Sequence, residues 1–372
     1  MTKIIGKPYA GKLHVRFDEG AGKAAASSRS TLPCYREMNT KHYTIPIFIP
    51  QLACPFQCVF CDQEKITARG HIPGIPETRN TIEEYLKSFP HGKKHVEIGF
   101  FGGNFTGIPV EEQENYLQVA HEFLEKGLVQ GIRLSTRPDY IDEPRLTLLK
   151  KYGVTTIELG AQSCDDGVLI ESARGHTAGD VEMASQLIIE KGFRLGLQMM
   201  IGLPGDTLQK SIYTAKKIIA LGAVETRIYP LLVIKGTVLE KWYNEGKYTP
   251  LSLDETLNWL KELIPLFEDS GVEVTRVGLH ASVGLQTGKE LVAGPYHPSI
   301  RELAMTEVWW DRLSMLTAFE GVEELRITVH PSQYNFAVGY HGKNRKRLSE
   351  FIKNVRFIKD KELKKSKFNV EF

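Results

Sequence analysis

The chain has 372 residues, of which 42% are hydrophobic and 25% charged, a composition that supports a large buried core and excludes a chain disordered as a whole. No apolar stretch approaches the roughly 20 residues of a membrane span. The N-terminus also lacks the charged start and apolar run of a signal peptide, so the expectation is a cytoplasmic protein with no membrane partner. The net charge of +2 conceals a basic end, because residues 340–372 hold 11 Lys/Arg against four Asp/Glu and leave the rest of the chain acidic.

Residues 1–40 follow no periodic pattern and include a small-residue run over 20–30, which reads as a disordered or non-native extension. Met38 is the candidate natural start. From residue 41, strand-like runs at 43–50, 95–103, 131–138, 154–163, 194–205 and 225–236 alternate with amphipathic segments at 110–128, 143–152, 178–191 and 207–221. Such alternation predicts a parallel sheet with right-handed crossovers. The expected fold is α/β, a partial (β/α)6 TIM-type barrel over residues 41–240 with its chemistry at the C-terminal strand ends. Residues 241–320, with a helix over 253–270, a strand over 272–281 and a helix over 299–316, read as a covering region. Residues 321–372 read as a small basic α+β extension.

Directly after the first strand stand Cys54, Cys58 and Cys61, three thiolates on one loop. Three ligands hold a 4Fe-4S cluster with one iron open, and S-adenosylmethionine chelates such an iron through its amino and carboxylate groups. One electron passed into the sulfonium then releases a 5′-deoxyadenosyl radical. Phe60, beside the last cysteine, suits packing against adenine. A structural zinc site would need a fourth ligand and a second Cys/His pair at knuckle-like distance, and the sequence offers none. Cys34 falls in the extension, and Cys164 reads as a small packed residue.

The motifs that follow are Gly102-Gly103-Asn104-Phe105-Thr106, Ser135-Thr136-Arg137-Pro138-Asp139-Tyr140, Glu158-Leu159-Gly160-Ala161-Gln162-Ser163, Arg174-Gly175-His176-Thr177, Gly202-Leu203-Pro204-Gly205 and the run from Ile228 to Thr237. In this order, over about residues 43–260, they resemble the radical S-adenosylmethionine domain of the Elongator catalytic subunit, which modifies wobble uridine in tRNA. The likeness implies that Gly102, Gly103 and Asn104 receive the cofactor's amino group. It also implies that Thr136 and Gln162 face the cofactor, and that Arg174 pairs with its carboxylate. It further implies a low-potential electron donor such as flavodoxin or ferredoxin. This chain departs from the pattern in its closer first two cysteines, in Asn104 where a threonine is usual, and in having no acetyltransferase region. Arg137 and Asp139 read as an ion pair shaping the turn at Pro138. His176 reads as a brace for the next helix or a group acting on substrate. Lys235 is either at the substrate or on the surface, and residues 294–298 are a rigid turn first and a substrate lid second.

At the C-terminus a strand (325–329), a helix (332–338), Gly339-Tyr340-His341-Gly342, a basic helix (343–353) and a strand (355–359) follow the order of a minimal KH module. In that module the glycine loop grips a nucleic-acid backbone, with Lys343, Arg345, Lys346 and Arg347 as phosphate contacts. A helix ending at Gly339 before a solvated basic helix remains open beside it. The leading expectation is a radical enzyme that modifies a nucleoside in RNA, with tRNA as the expected substrate. The rivals are radical chemistry on a small molecule or tetrapyrrole, and an RNA-binding iron-sulfur sensor without turnover.

Overall fold

In a computed structural model that describes residues 4–5, 41–49, 58–62, 71–279, 283–319 and 321–372, a short strand β1 (Ile4–Ile5) precedes a βα succession. Its strands are β2 (Lys41–Phe48), β3 (Lys94–Phe101), β4 (Gly131–Thr136), β5 (Val154–Gln162), β6 (Arg194–Ile201) and β7 (Glu225–Pro230). Between them lie α1 (Ile75–Ser88), α2 (Val110–Glu125), α3 (Glu143–Lys151), α4 (Asp166–Glu171), α5 (Ala178–Glu190) and α6 (Leu208–Ala220). After β7 come β8 (Val233–Ile234), α7 (Val238–Asn244), α8 (Leu253–Asp269), β9 (Glu273–Val277), α9 (Val283–Gln286), β10 (Leu291–Ala293) and α10 (Ile300–Leu313). Contacts divide the chain into residues 42–307, and residues 1–41 together with 308–372.

In the larger unit seven parallel strands form a curled half-barrel in the order β2-β3-β4-β5-β6-β7-β9. Pro46 is tolerated within β2 because that strand is at the sheet edge, where a missing N–H breaks no ladder on the open side. The helices grow from local signals. Asp142, Thr207 and Thr237 cap the first turns of α3, α6 and α7, while Thr177 and Ser252 form capping boxes with Asp180 and Glu255. In α2 the buried residues Gln113, Tyr116, Leu117, Ala120 and Phe123 recur at helical spacing, so one face turns to the sheet. The outward face of the sheet supplies the matching core through Ile98, Phe100, Ile132, Leu134, Ile157 and Leu197, each fully buried.

The inward face is different. Arg133 on β4 contacts Glu225 on β7, three strands away, which only the concave side of a curled sheet permits. Two boundaries differ from expectation. The strand read over 225–236 is two pieces, because β8 leaves the main sheet and pairs antiparallel with β10 through Ile234 and Leu291. The strand read within the covering region, β9, joins the barrel sheet as its seventh strand by pairing parallel to β7.

The smaller unit holds β11 (Glu324–Val329), α11 (Tyr334–Val338), α12 (Lys343–Ser349), β12 (Asn354–Lys359) and β13 (Phe368–Glu371), with sheet order β1-β13-β11-β12. β11 is parallel to β12 and antiparallel to β13. Leu325, Ile327 and Val329 are fully buried, and buried Trp309 donates its indole N–H to Gln333 Oε1 at 3.0 Å. Residues 4–5 of the expected extension pair with β13, and the rest of 1–40, with Cys34 and Met38, lies outside the described residues.

Candidate active site

The cysteine loop is described at Cys58, Val59, Phe60, Cys61 and Asp62; Cys54 lies outside the described residues. A turn brings Cys58 and Cys61 together, the Cys61 N–H donating to the Cys58 carbonyl at 3.0 Å. The loop is held at its middle. Val59 donates its N–H to the Ser172 carbonyl at 3.2 Å and accepts from the Leu239 N–H at 2.7 Å. Phe60 is largely enclosed by an apolar cluster that includes Val168, Leu203, Leu231 and Leu239.

At the end of β3, Gly102 has φ +103°, and a Cβ there would stand 3.3 Å from the Ile49 carbonyl oxygen, so the position demands glycine. Next to it Asn104 is buried, with Oδ1 accepting from the Thr136 hydroxyl at 2.6 Å and from the Arg137 N–H at 3.3 Å. The Thr106 and Thr136 hydroxyls meet at 2.5 Å, and the Thr106 hydroxyl donates to the Tyr140 carbonyl at 2.8 Å. The two motifs are thus one hydrogen-bonded unit, in which Thr136 orients Asn104. Arg137 is buried against Asp139 through two bonds of 2.9 Å, the turn-shaping ion pair.

β5 ends in a bulge. Gln162 has φ +66°, a costly region for a side chain of its size, and the register with β6 shifts between Gly160 and Gln162. The bulge presents successive carbonyls to the next motif. Arg174 Nη2 donates to the Gly160 oxygen at 2.8 Å, and His176 Nε2 lies 3.1 Å from the Ala161 oxygen. Arg174 is buried, and its Nη1 also points at the Cys58 sulfur at 3.6 Å. Among the described residues its Nε has no partner, nor does His176 Nδ1. Burial, then the charges of Arg174 and Arg137, push the His176 imidazole down to about 3, so it is neutral and leaves Nδ1 a bare acceptor. Gln162 Oε1 accepts from Gln198 Nε2 at 3.1 Å.

The structure therefore gathers Cys58, Gly160, Gln162 and Arg174 into one contact set and Asn104 and Thr136 into another. The two sets adjoin, since Thr136 pairs with Leu159 on β5. A guanidinium with an unpartnered Nε beside a thiol, next to a glycine cradle, fits a carboxylate-bearing ligand held on a thiolate-bound metal. Other residues stand apart. Burial pushes the Cys164 thiol up to about 12, in keeping with a packing role. Lys235 is exposed, its backbone N–H bonded to the Glu290 carbonyl at 2.9 Å. In the loop 294–298, His297 Nδ1 accepts from the Ser299 N–H at 3.0 Å, which makes a turn ahead of α10.

Sequence reading missed a charged array on the concave face: Glu97, Arg133, Glu158, Glu225 and Arg227. Arg133 lies 3.3 Å from Glu97 and 3.7 Å from Glu158, and Arg227 Nε lies 2.9 Å from Glu158 Oε2. The available signal was charge at alternate positions of strands that a parallel sheet buries on both faces.

Among the described residues no helix is long and apolar enough to cross a membrane. Residues 48–218 match the Radical SAM superfamily model, and residues 225–309 match the Radical SAM C-terminal domain. The tRNA uridine(34) acetyltransferase of Dehalococcoides mccartyi is 25% identical over 270 residues, 63% of this chain and 58% of that protein. Elongator complex protein 3 of Homo sapiens is 29% identical over 283 residues, 69% of this chain and 50% of that protein. The chain thus spans about half the length of the curated relatives it matches. Among solved structures, Elp3 of the archaeon Methanocaldococcus infernus with an N-terminal deletion shares the fold, with a TM-score of 0.58 and 19% identity over 74% of this chain and 63% of that one. The glycine cradle, the bulged β5 and the paired cysteines occupy the matched segment, and the chain belongs to the radical SAM superfamily of enzymes.

Proposed function

We propose that this enzyme holds a 4Fe-4S cluster on Cys54, Cys58 and Cys61, binds S-adenosylmethionine, and modifies a nucleoside in RNA, with tRNA as the substrate. The observation that carries the cofactor reading is Arg174, buried between the Cys58 sulfur and the Gly160 carbonyl with its Nε unpartnered. When bound, the cluster supplies one electron to the cofactor sulfonium and so releases a 5′-deoxyadenosyl radical.

The chain's own residues bind and orient. Arg174 would take the cofactor carboxylate, and Gly102 and Gly103 give the room for its amino group. Asn104, fixed by Thr136, turns its amide to the same place, while Gln162 is aimed by the bulge. Phe60 closes the adenine side and excludes water. An electron donor such as flavodoxin or ferredoxin would act on the cluster, and the cytoplasm would keep the thiols reduced.

The RNA reading draws on the names of the relatives and on the smaller unit. There α11, the loop Gly339-Tyr340-His341-Gly342 and α12 lie between the parallel strands β11 and β12, an order that supports a KH-like module. Gly339, His341 and Gly342 all have positive φ, as a tight loop between two helices requires. Arg347 lies over the Trp310 ring at 4.8 Å, and Lys343, Arg345 and Lys346 stand beside it on α12 as the other proposed phosphate contacts.

Anaerobic reconstitution with a strong reductant and S-adenosylmethionine, followed by mass spectrometry, tests the chemistry. Wild-type protein is expected to form 5′-deoxyadenosine and the Cys58→Ala variant none. Equal, background yields from both would sink the reading. Comparison of modified nucleosides in tRNA from a deletion strain then tests the substrate.

A further inference from the structure

The interior of a β/α barrel is ordinarily filled by branched apolar side chains. Here the concave face carries a polar column that climbs towards the C-terminal strand ends. At its base Arg133 meets Glu97 at 3.3 Å, Glu158 at 3.7 Å and Glu225. Glu158 then accepts from the Ser135 hydroxyl at 3.1 Å and pairs with Arg227 Nε at 2.9 Å. Arg227 lies over the Phe101 ring, 4.8 Å from its centroid, and its guanidinium interacts with the Tyr229 hydroxyl. Tyr229 is the next inward residue of β7, in register with Met200 of β6. Phe101 directly precedes the Gly102 cradle, so the top of the column lies at the level of the residues assigned to the cofactor.

The two ends of the column differ in chemistry. Arg133 already has three carboxylates around its Nη atoms, although its Nε has no partner among the described residues. The upper end is built of donors. Arg227 has no acceptor atom, and the Tyr229 hydroxyl carries an O–H that can donate. Burial pushes the Tyr229 phenol up, which keeps that proton in place. Three carboxylates, Glu97, Glu158 and Glu225, face the guanidiniums of Arg133 and Arg227, so an anion gains nothing from net charge there.

We propose that Arg227 and Tyr229 are the substrate-recognition pair of this enzyme, and that they receive a neutral ring by donating to its carbonyl oxygens. An amino group in place of a carbonyl would face two donors and leave them unpaired, which is how a buried polar site discriminates. Glu158 is the positioning residue that sets the Arg227 plane. The inference rests on the radical nucleoside reading above.

Photocrosslinking of the anaerobic holoenzyme to an RNA stem-loop with 4-thiouridine in its loop tests the pair. Crosslinks in the wild type are expected on the peptide that holds Arg227 and Tyr229. Tyr229→Phe, which keeps the ring, and Arg227→Gln should each lower that yield about tenfold or more. Arg227→Lys should recover part of it, because it restores a donor without the fork. Thermal melts of each variant separate lost recognition from lost fold. Wild-type crosslinks confined to residues outside the concave face, or an unchanged yield in folded Tyr229→Phe, overturn the proposal. The underlying reading fails separately, through absence of 5′-deoxyadenosine from the wild type.

Discussion

His176 shows how much one residue's surroundings decide. Its ring is buried, its Nε2 faces a backbone oxygen, and two guanidiniums stand near it, so protonation is disfavoured in the folded state. The folded pKa is below the unfolded one of about 6.5. The neutral ring therefore contributes stability that is fully present above pH ~6.5 and is lost as pH falls towards 3. Between pH 6.5 and 4 the loss should reach about 2–3 kcal/mol. Melting curves of His176→Gln are expected to fall less steeply over that window than wild type; parallel profiles would refute the assignment. At this scale the sequence was informative wherever a residue's role is set by its neighbours in the chain. Arg137 and Asp139, two positions apart, read as the ion pair that they form. The pairing of Arg133 with Glu225 crosses 92 residues, and no local pattern announces it.

Among the elements, α7 has a role out of proportion to its seven residues. Leu239 is fully buried among Val59 and Phe60 and gives its N–H to Val59, so this short helix fastens the cysteine loop to the barrel. Leu239→Ala should cost about 2–5 kcal/mol through transfer and cavity terms. It should also raise the alkylation rate of Cys58 and Cys61 in metal-free protein and lower iron content after reconstitution. Wild-type alkylation rates in the variant would argue against the tether. The βα succession was legible because each long helix carries its apolar residues at helical spacing and most carry a side-chain cap. β9 was less so. It is only five residues long and is separated from β7 by a ribbon strand and two helices, so its sequence alone did not assign it to the barrel.

For the whole molecule the dominant asymmetry is electrostatic, a basic C-terminal stretch on an otherwise acidic chain. Binding of unfractionated tRNA should weaken steeply with salt, because phosphate contacts release counterions. Combined charge reversal at Lys343, Arg345 and Lys346 should flatten the salt slope by about three contacts' worth. A slope unchanged in the variant would move RNA docking elsewhere. The cysteines and the motif order made the enzyme class legible, because that chemistry needs few residue types at fixed spacing. The charged array on the concave face was not, since it depends on the curl of the sheet.

The grip on Val59 also sets an order of assembly. Its two backbone partners, Ser172 and Leu239, stand 113 and 180 positions further along the chain. Contacts of such separation form late in folding, after shorter loops have closed. Cys58 and Cys61 are therefore set in place by contacts that close only when the intervening strands and helices of the half-barrel have come together.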